Sequence, residues 1–264
     1  MWSLKLDFVF LFLIKELTFA DKICLVLLKY IIYIRDRLAG LSDKPPYVRV
    51  FNKRFYYSDI YGLASLQRVY CESYRLKHLV KEDAVIIDVG ANVGQFNFFC
   101  QHYLKAKRII SIEPVDNCFK VLQLNALDPK DCCRYAISKE IGTIRIYISN
   151  ISSQHSTYIR NENEEYDNSL LVQTRTLDNL ADELDIESCD LLKIDTEGSE
   201  YDILISAQRF LERANNVLVE MSVNRSSAGN LFAVGDFLQK RGFKLLELSS
   251  YNRRQSSVDG VFCR

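Results

Sequence analysis

From residue 84 onward, short apolar runs alternate with longer amphipathic stretches. The runs at 84–89, 107–113, 132–137, 190–195 and 216–221 each hold a short apolar centre, with charged residues chiefly at their ends. Such runs, four to eight residues long and bounded by turn residues, predict strands buried on both faces. Between them, 93–104, 116–126, about 199–207 and 229–241 carry helical periodicity. Strands alternating with helices predict a mostly parallel sheet covered on both sides. Residues 142–148 and 170–175 alternate at period two and read as further strands, and 177–180 opens a short helix. The stretch 149–169 is rich in Ser, Asn and Glu and reads as a loop. Residues 244–248 and 258–263 are joined by a polar turn without a helix, so this last pair is expected to be antiparallel. Upstream, 47–58 reads as an aromatic hairpin and 60–80 as a helix.

The first forty residues follow a different pattern. Phe8 to Ile14 are seven consecutive apolar residues, and Ile23 to Ile34 carry a single charge, Lys29. Neither run reaches the roughly 20 residues needed to cross a bilayer. Apolar residues in an unbroken row cover every face of a helix, so two docking helices are expected rather than one solvated helix. They would pack on the rest of the chain, mediate homo-oligomerisation, or lie on a membrane surface as a peripheral contact. A signal segment remains open, although no clear cleavage site follows. Lys44-Pro45-Pro46 marks the expected exit from this appendage.

Composition narrows the function classes. The chain has 264 residues, 34 basic and 34 acidic, so its formal net charge is zero. No basic excess points to nucleic acid. None of the eight cysteines falls in a C-x-x-C pair, and adjacent Cys132-Cys133 fit no zinc spacing. A reducing, cytoplasmic location is expected. The three histidines (His78, His102, His155) form no helical pair, so a histidine zinc site is not expected.

The chemistry concentrates at strand ends. Ile86-Ile87-Asp88-Val89-Gly90-Ala91-Asn92-Val93-Gly94 is an apolar strand, an acid, a small-residue turn and the start of a helix. That is where an α/β protein receives a nucleoside-bearing cofactor. Glycines at 90 and 94 would let a ligand approach the backbone. The dinucleotide fingerprint G-x-G-x-x-G is broken at its second glycine by Asn92 and at its third by Gln95. A pyrophosphate needs the second glycine. The amino-acid end of S-adenosylmethionine (SAM) does not, and Asp88 with backbone donors would suit it. The next strand ends at Glu113-Pro114, and an acid at that tip can accept both ribose hydroxyls.

A second acidic strand end follows at Lys193-Ile194-Asp195-Thr196-Glu197-Gly198-Ser199-Glu200, with Glu220 near the end of the strand after it. Asp195 should face the crevice at the carboxyl edge of the sheet. Glu200 reads as a first-turn helix acid. Asp195, Glu197 and Glu220 could alternatively hold Mg²⁺, though no metal is assigned.

These motifs, with Ile112-Glu113-Pro114 and Thr176-Leu177-Asp178, resemble in order and type the FkbM family of SAM-dependent methyltransferases, over about residues 80–225. The resemblance implies a Rossmann-like class I methyltransferase fold, α/β, with a seven-stranded mostly parallel sheet, helices on both faces and the last strand antiparallel. The apolar pattern sets off an appendage at 1–43, which the resemblance does not cover, from an expected methyltransferase domain at 47–264. The resemblance further implies O-methylation of a hydroxyl on a sugar, glycolipid or related small molecule. By this resemblance Asp88, Gly90, Asn92, Gly94 and Glu113 line the SAM site, with Asn117 and the strand end at Tyr135-Ala136 near the ribose or adenine. Asp195, Glu197 and His155 are the candidate bases for activating a weakly nucleophilic hydroxyl. The loop residues Ser152, Ser153, Tyr158 and Arg160 are expected to contact the acceptor. Two rival readings stay open. One is an NAD(P)-dependent oxidoreductase, against which Asn92 argues; the other is a non-catalytic binding module on the same fold.

Overall fold

The computed structural model describes residues 45–50, 52–148, 168–223, 230–249 and 257–264, with isolated positions between Leu11 and Tyr30. Strand β1 (Tyr47–Val50) and β2 (Lys53–Tyr56) form the expected hairpin, paired antiparallel from Tyr47 opposite Tyr56 to Val50 opposite Lys53. Helix α1 (Ile60–Ser73) follows. The alternating series then begins with β3 (Val85–Val89), α2 (Gln95–Phe99, extended by a wider π-type turn to Leu104), β4 (Arg108–Ile112) and α3 (Asp116–Asn125).

The run 132–137 does not form one strand. Cys132–Cys133 (β5) pairs in parallel with β4, whereas Ala136–Ile137 (β6) has left that sheet and pairs with another. The second sheet contains β6, β7 (Gly142–Ile148) and β8 (Asn168–Arg175), in the order β6-β8-β7. Its period-two alternation places Ile144, Ile146 and Ile148 against the main core. That apolar face makes the second sheet a flanking layer on the main core.

Downstream lie α4 (Leu177–Glu183), β9 (Leu191–Ile194), α5 (Glu200–Ser206), α6 (Gln208–Arg213), β10 (Asn216–Ser222), α7 (Leu231–Lys240), β11 (Lys244–Leu248) and β12 (Ser257–Cys263). The sequence pattern ended a helix at about 207 and left α6 unassigned. The main sheet has seven strands in the order β11-β12-β10-β9-β3-β4-β5. Strands β10, β9, β3, β4 and β5 run parallel, and β12 is antiparallel to both its neighbours. The expected closing antiparallel pair is therefore present, with β12 inserted between β11 and β10.

One side of the sheet buries Ile87, Val89, Ile110, Ile112, Leu192, Ile194, Val217 and Val219 against α4 to α7. The opposite side carries Ile86, Ile109 and Leu191 beneath α1, α2 and the hairpin. Strands covered on both faces explain the short, mainly apolar runs. The chain leaves β3 toward β4 and β5, then returns on the other side of β3 as β9. The carboxyl ends of β3 and β9 thus flank the point where strand order reverses, the usual ligand crevice of an open α/β sheet.

The seven described cysteines, Cys71, Cys100, Cys118, Cys132, Cys133, Cys189 and Cys263, are free thiols. No helix among the described residues is long and apolar enough to cross a membrane. Most of the predicted 1–43 appendage lies outside the described residues. Of its described positions, Val26 packs against the main core, while Phe12, Phe19 and Leu27 are exposed.

Candidate cofactor and acceptor site

The turn after β3 is built from left-handed residues: φ is 80° at Gly90, 51° at Asn92 and 89° at Gly94. A Cβ on Gly90 would collide with the Asp195 carbonyl, and one on Gly94 would press on Leu122 and Asn125. The glycines are thus required by left-handed backbone and by close packing of β9 and α3, where the sequence suggested ligand access. Asn92 tolerates its left-handed backbone because its Oδ1 accepts the Val93 N–H at 2.7 Å. The turn's own donors are committed within the protein. The Gly90 and Ala91 N–H groups donate to Ile112 O, that of Gly94 to Ala91 O, and that of Asn92 to Glu113 Oε2. They are therefore not the free backbone donors the sequence suggested for an amino-acid end.

Asparagine 125 holds this turn in place. Its side chain accepts the Tyr56 N–H at 2.8 Å and donates to the Tyr56 and Val93 carbonyls, each at 2.7 Å. The hairpin, α3 and the glycine turn are thereby fixed to one another.

A cavity of about 240 Å³ opens at the reversal point. One end is lined by Gly90, Ala91, Asn92, Glu113, Pro114, Val115, Tyr135, Ala136 and Ile137. Glu113 is buried, and its two oxygens accept the N–H groups of Asn92 (2.9 Å) and Val115 (2.8 Å). Burial pushes its pKa up to about 7 despite those two hydrogen bonds. Each oxygen retains acceptor capacity, which suits a vicinal diol. Beside it, Val115, Ala136 and Ile137 supply an apolar wall.

Other predicted residues are placed differently. Asp88 is fully buried and is not part of the cavity wall. It is opposite Lys193 in the β3/β9 register, and its Oδ1 receives Lys193 Nζ at 3.0 Å. Its Oδ2 has no hydrogen-bond partner among the described residues. Burial raises the Asp88 pKa while Lys193 opposes the rise. Lysine 193 also lies 3.6 Å from Asp195 and 3.4 Å from the Gly90 carbonyl. Burial opposes its charge, but the two aspartates outweigh burial and hold its pKa above the ordinary value. Asp88 thus acts beneath the site, anchoring the lysine that joins the ends of β3 and β9. Gly94 likewise lies outside the wall, and Asn117 is exposed on the first turn of α3, away from the cavity. His155 and the loop residues Ser152, Ser153, Tyr158 and Arg160 lie outside the described residues.

The other end of the cavity is acidic. Asp195, Glu197, Glu220 and Asp259 line it, with Lys193, Arg68 and Glu72. Oxygens of Asp195, Glu197 and Glu220 lie within 4.8 Å of one another. Glu197 sits in a left-handed turn, φ 58°, and lines the cavity beside Asp195. Glu200 serves that turn: its Oε1 accepts from Thr196 N (3.0 Å), Thr196 Oγ1 (3.0 Å) and Gly198 N (2.8 Å). From α1, Arg68 Nε contacts both oxygens of Glu72 at 2.9 Å, and Ser65 and Val69 complete that wall. Ile144 and Ile146 of β7 close the remaining side.

Sequence reasoning missed Arg68, Glu72 and Asp259. The signals present were a charged i, i+4 pair on a helix of mostly apolar residues, and one acid in an otherwise apolar final strand.

A seven-stranded sheet with reversed β12 and a nucleoside-type crevice beside Glu113 defines the class I methyltransferase fold. The family model described as methyltransferase FkbM domain matches residues 88–245, more than half of the chain, and the chain belongs to that family. Among curated proteins it is 27% identical over 203 residues to AMB antimetabolite synthetase AmbE of Pseudomonas aeruginosa, covering 62% of this chain and 10% of AmbE. It is 25% identical over 168 residues to methyltransferase sdnD of Sordaria araneosa, covering 51% of this chain and 65% of sdnD. It is 27% identical over 144 residues to hexuronic acid methyltransferase AglP of Haloferax volcanii, covering 53% of this chain and 57% of AglP. The chain therefore spans only part of the length of these relatives.

Proposed function

We propose that this protein is a SAM-dependent methyltransferase that methylates a hydroxyl of a sugar, glycolipid or related small molecule. The observation that carries the reading is a single cavity at the strand-order reversal, with the Gly90 turn and Glu113 at one end and the acidic row at the other. The residues present fit SAM: a buried carboxylate with spare acceptor capacity for the ribose diol, and an apolar wall at Val115, Ala136 and Ile137. Bound SAM supplies a methyl group already activated by its sulfonium. The chain's own task is then to orient the acceptor oxygen and receive its proton. Arg68, Glu72 and the acidic row form a polar wall suited to a polyhydroxyl acceptor. The hexuronic acid named for AglP supports a sugar. A catalytic domain at 47–264, apart from residues 1–43, is part of this reading, and the family match at residues 88–245 falls inside it.

The test is transfer from methyl-labelled SAM to free and lipid-linked sugars, including hexuronic acids. Alkali-stable label in a sugar is expected, because a methyl ether resists base. Alkali-labile label would indicate a carboxyl ester and refute hydroxyl methylation.

A further inference from the structure

Three carboxyl groups stand in a row across adjacent strands. Asp195 follows β9, Glu220 lies on β10 one residue past the paired Val219 and Ile194, and Glu220 is directly opposite Asp259 in the antiparallel β10/β12 register. Cross-strand partners share a face of the sheet, so both acids point to the α1 side, into the cavity that each lines. Like charges directly opposite one another are unfavourable in a sheet. Glu220 is oriented by the Ser257 hydroxyl, which donates to its Oε1 at 2.6 Å. The described side-chain bonding of Asp259 is sparse by comparison; its hydrogen bonds to Ser249 run through its backbone. Asp195 is already engaged by Lys193. The row begins beside Gly90, where the glycine turn enters the same cavity.

We propose that Glu220, working with its cross-strand neighbour Asp259, accepts the proton of the acceptor hydroxyl. This rests on the methyltransferase reading and assigns its base. The hydroxyl O–H bond breaks and its proton passes to a Glu220 carboxylate oxygen. The freed oxygen pair forms the bond to the transferred methyl as the sulfur–methyl bond breaks, and the proton then leaves to solvent.

The surroundings favour this role. Facing the pair are Arg68 and Glu72 from α1, Lys193 and Asp195 at β9, Glu197 in the turn, Glu200 from α5 and, farther along, Glu247 of β11. Burial, then the charges of Asp195 and Glu200, push Glu220 up to about 8. Burial, then Glu72 and Asp195, push Asp259 up to about 7. A base is most effective when its pKa lies near the working pH.

The test uses the purified full chain with saturating S-adenosylhomocysteine (SAH). Difference infrared spectra would follow the C=O stretch of protonated carboxyls from about pH 5 to about pH 9. In wild type a band should disappear as pH rises through the neutral range. Glu220→Gln should remove that component, and Asp259→Asn should move it to lower pH by removing the opposing charge. With any sugar labelled in the transfer assay, Glu220→Gln should lose about 10²-fold or more in turnover. Asp259→Asn should shift the rising limb of the pH profile downward. The proposal fails if no titrating carboxyl responds to either substitution, or if Glu220→Gln keeps full turnover. It also fails if Mg²⁺ erases the band and a chelator stops transfer, which would make the row a cation site. SAH binding by wild type is measured first. Its absence would overturn the methyltransferase reading itself, whereas binding without a band that Glu220→Gln removes would overturn only the assignment of the base.

Discussion

Replacing Lys193 with Met should destabilise the protein more than Asp88→Asn. Lysine 193 neutralises a carboxylate with no solvent exposure, at 3.0 Å. Removing one partner of a buried ion pair costs about 3–5 kcal/mol, because the other charge is left uncompensated. That is a large share of a typical stability of about 5–15 kcal/mol. The reverse change, Asp88→Asn, leaves the lysine with Asp195 at 3.6 Å and the Gly90 carbonyl at 3.4 Å, so about 1–3 kcal/mol is expected. The double variant should be less destabilised than Lys193→Met alone, since no stranded carboxylate remains. Lys193→Met should also acquire a pH signature. Burial already raises the Asp88 pKa, and Lys193 is the group that opposes that rise. A raised acid favours the folded state at low pH and loses that contribution as pH climbs through its folded pKa. The deficit should therefore shrink on acidification. Urea unfolding followed by circular dichroism at about pH 5 and about pH 8 would measure it. A Lys193→Met cost under about 1 kcal/mol, or the same cost at both pH values, would refute the reasoning.

Further expectations concern the turn and the carboxylate at the cofactor end. SAH affinity should fall as pH drops below about 7, because protonating Glu113 removes an acceptor from the diol; titration across pH would show a flat profile in Glu113→Gln. Glu113→Gln should also cost about 1.5–3 kcal/mol in SAH binding, the range for hydrogen bonds to a charged group; unchanged affinity would remove Glu113 from the pocket. Gly90→Ala should cost about 3 kcal/mol by forcing a Cβ into the Asp195 carbonyl at φ 80°, read as a lowered melting temperature; a melting temperature equal to wild type would refute the packing. Asn125→Ala should cost about 3 kcal/mol, because three bonds to Tyr56 and Val93 are lost together, and thermal unfolding would show it.

The sheet was readable because its strands are buried on both faces and so appear as short, mainly apolar runs. The reversed closing pair was readable because no helix-length segment separates its arms. The split of 132–137 was not, since Arg134 and Tyr135 do not mark where a chain changes sheets. Glu113 was legible because an acid at the second strand tip has a physical role. Asp88 was legible as important but its role was not: sequence shows Asp88 and Lys193 on separate strands, and only the β3/β9 register makes them partners. For the same reason the Glu220–Asp259 pairing was hidden, since antiparallel register is set by tertiary packing. The walls from α1 and β7 come from elements distant in sequence from every motif.

Isothermal titration of the full chain with SAH, with NADH as comparator, tests the central claim most directly. Micromolar binding of SAH alone, lost in Glu113→Ala, is the expected result. Binding of NADH, or SAH binding indifferent to Glu113, would contradict the assignment of this cavity to SAM.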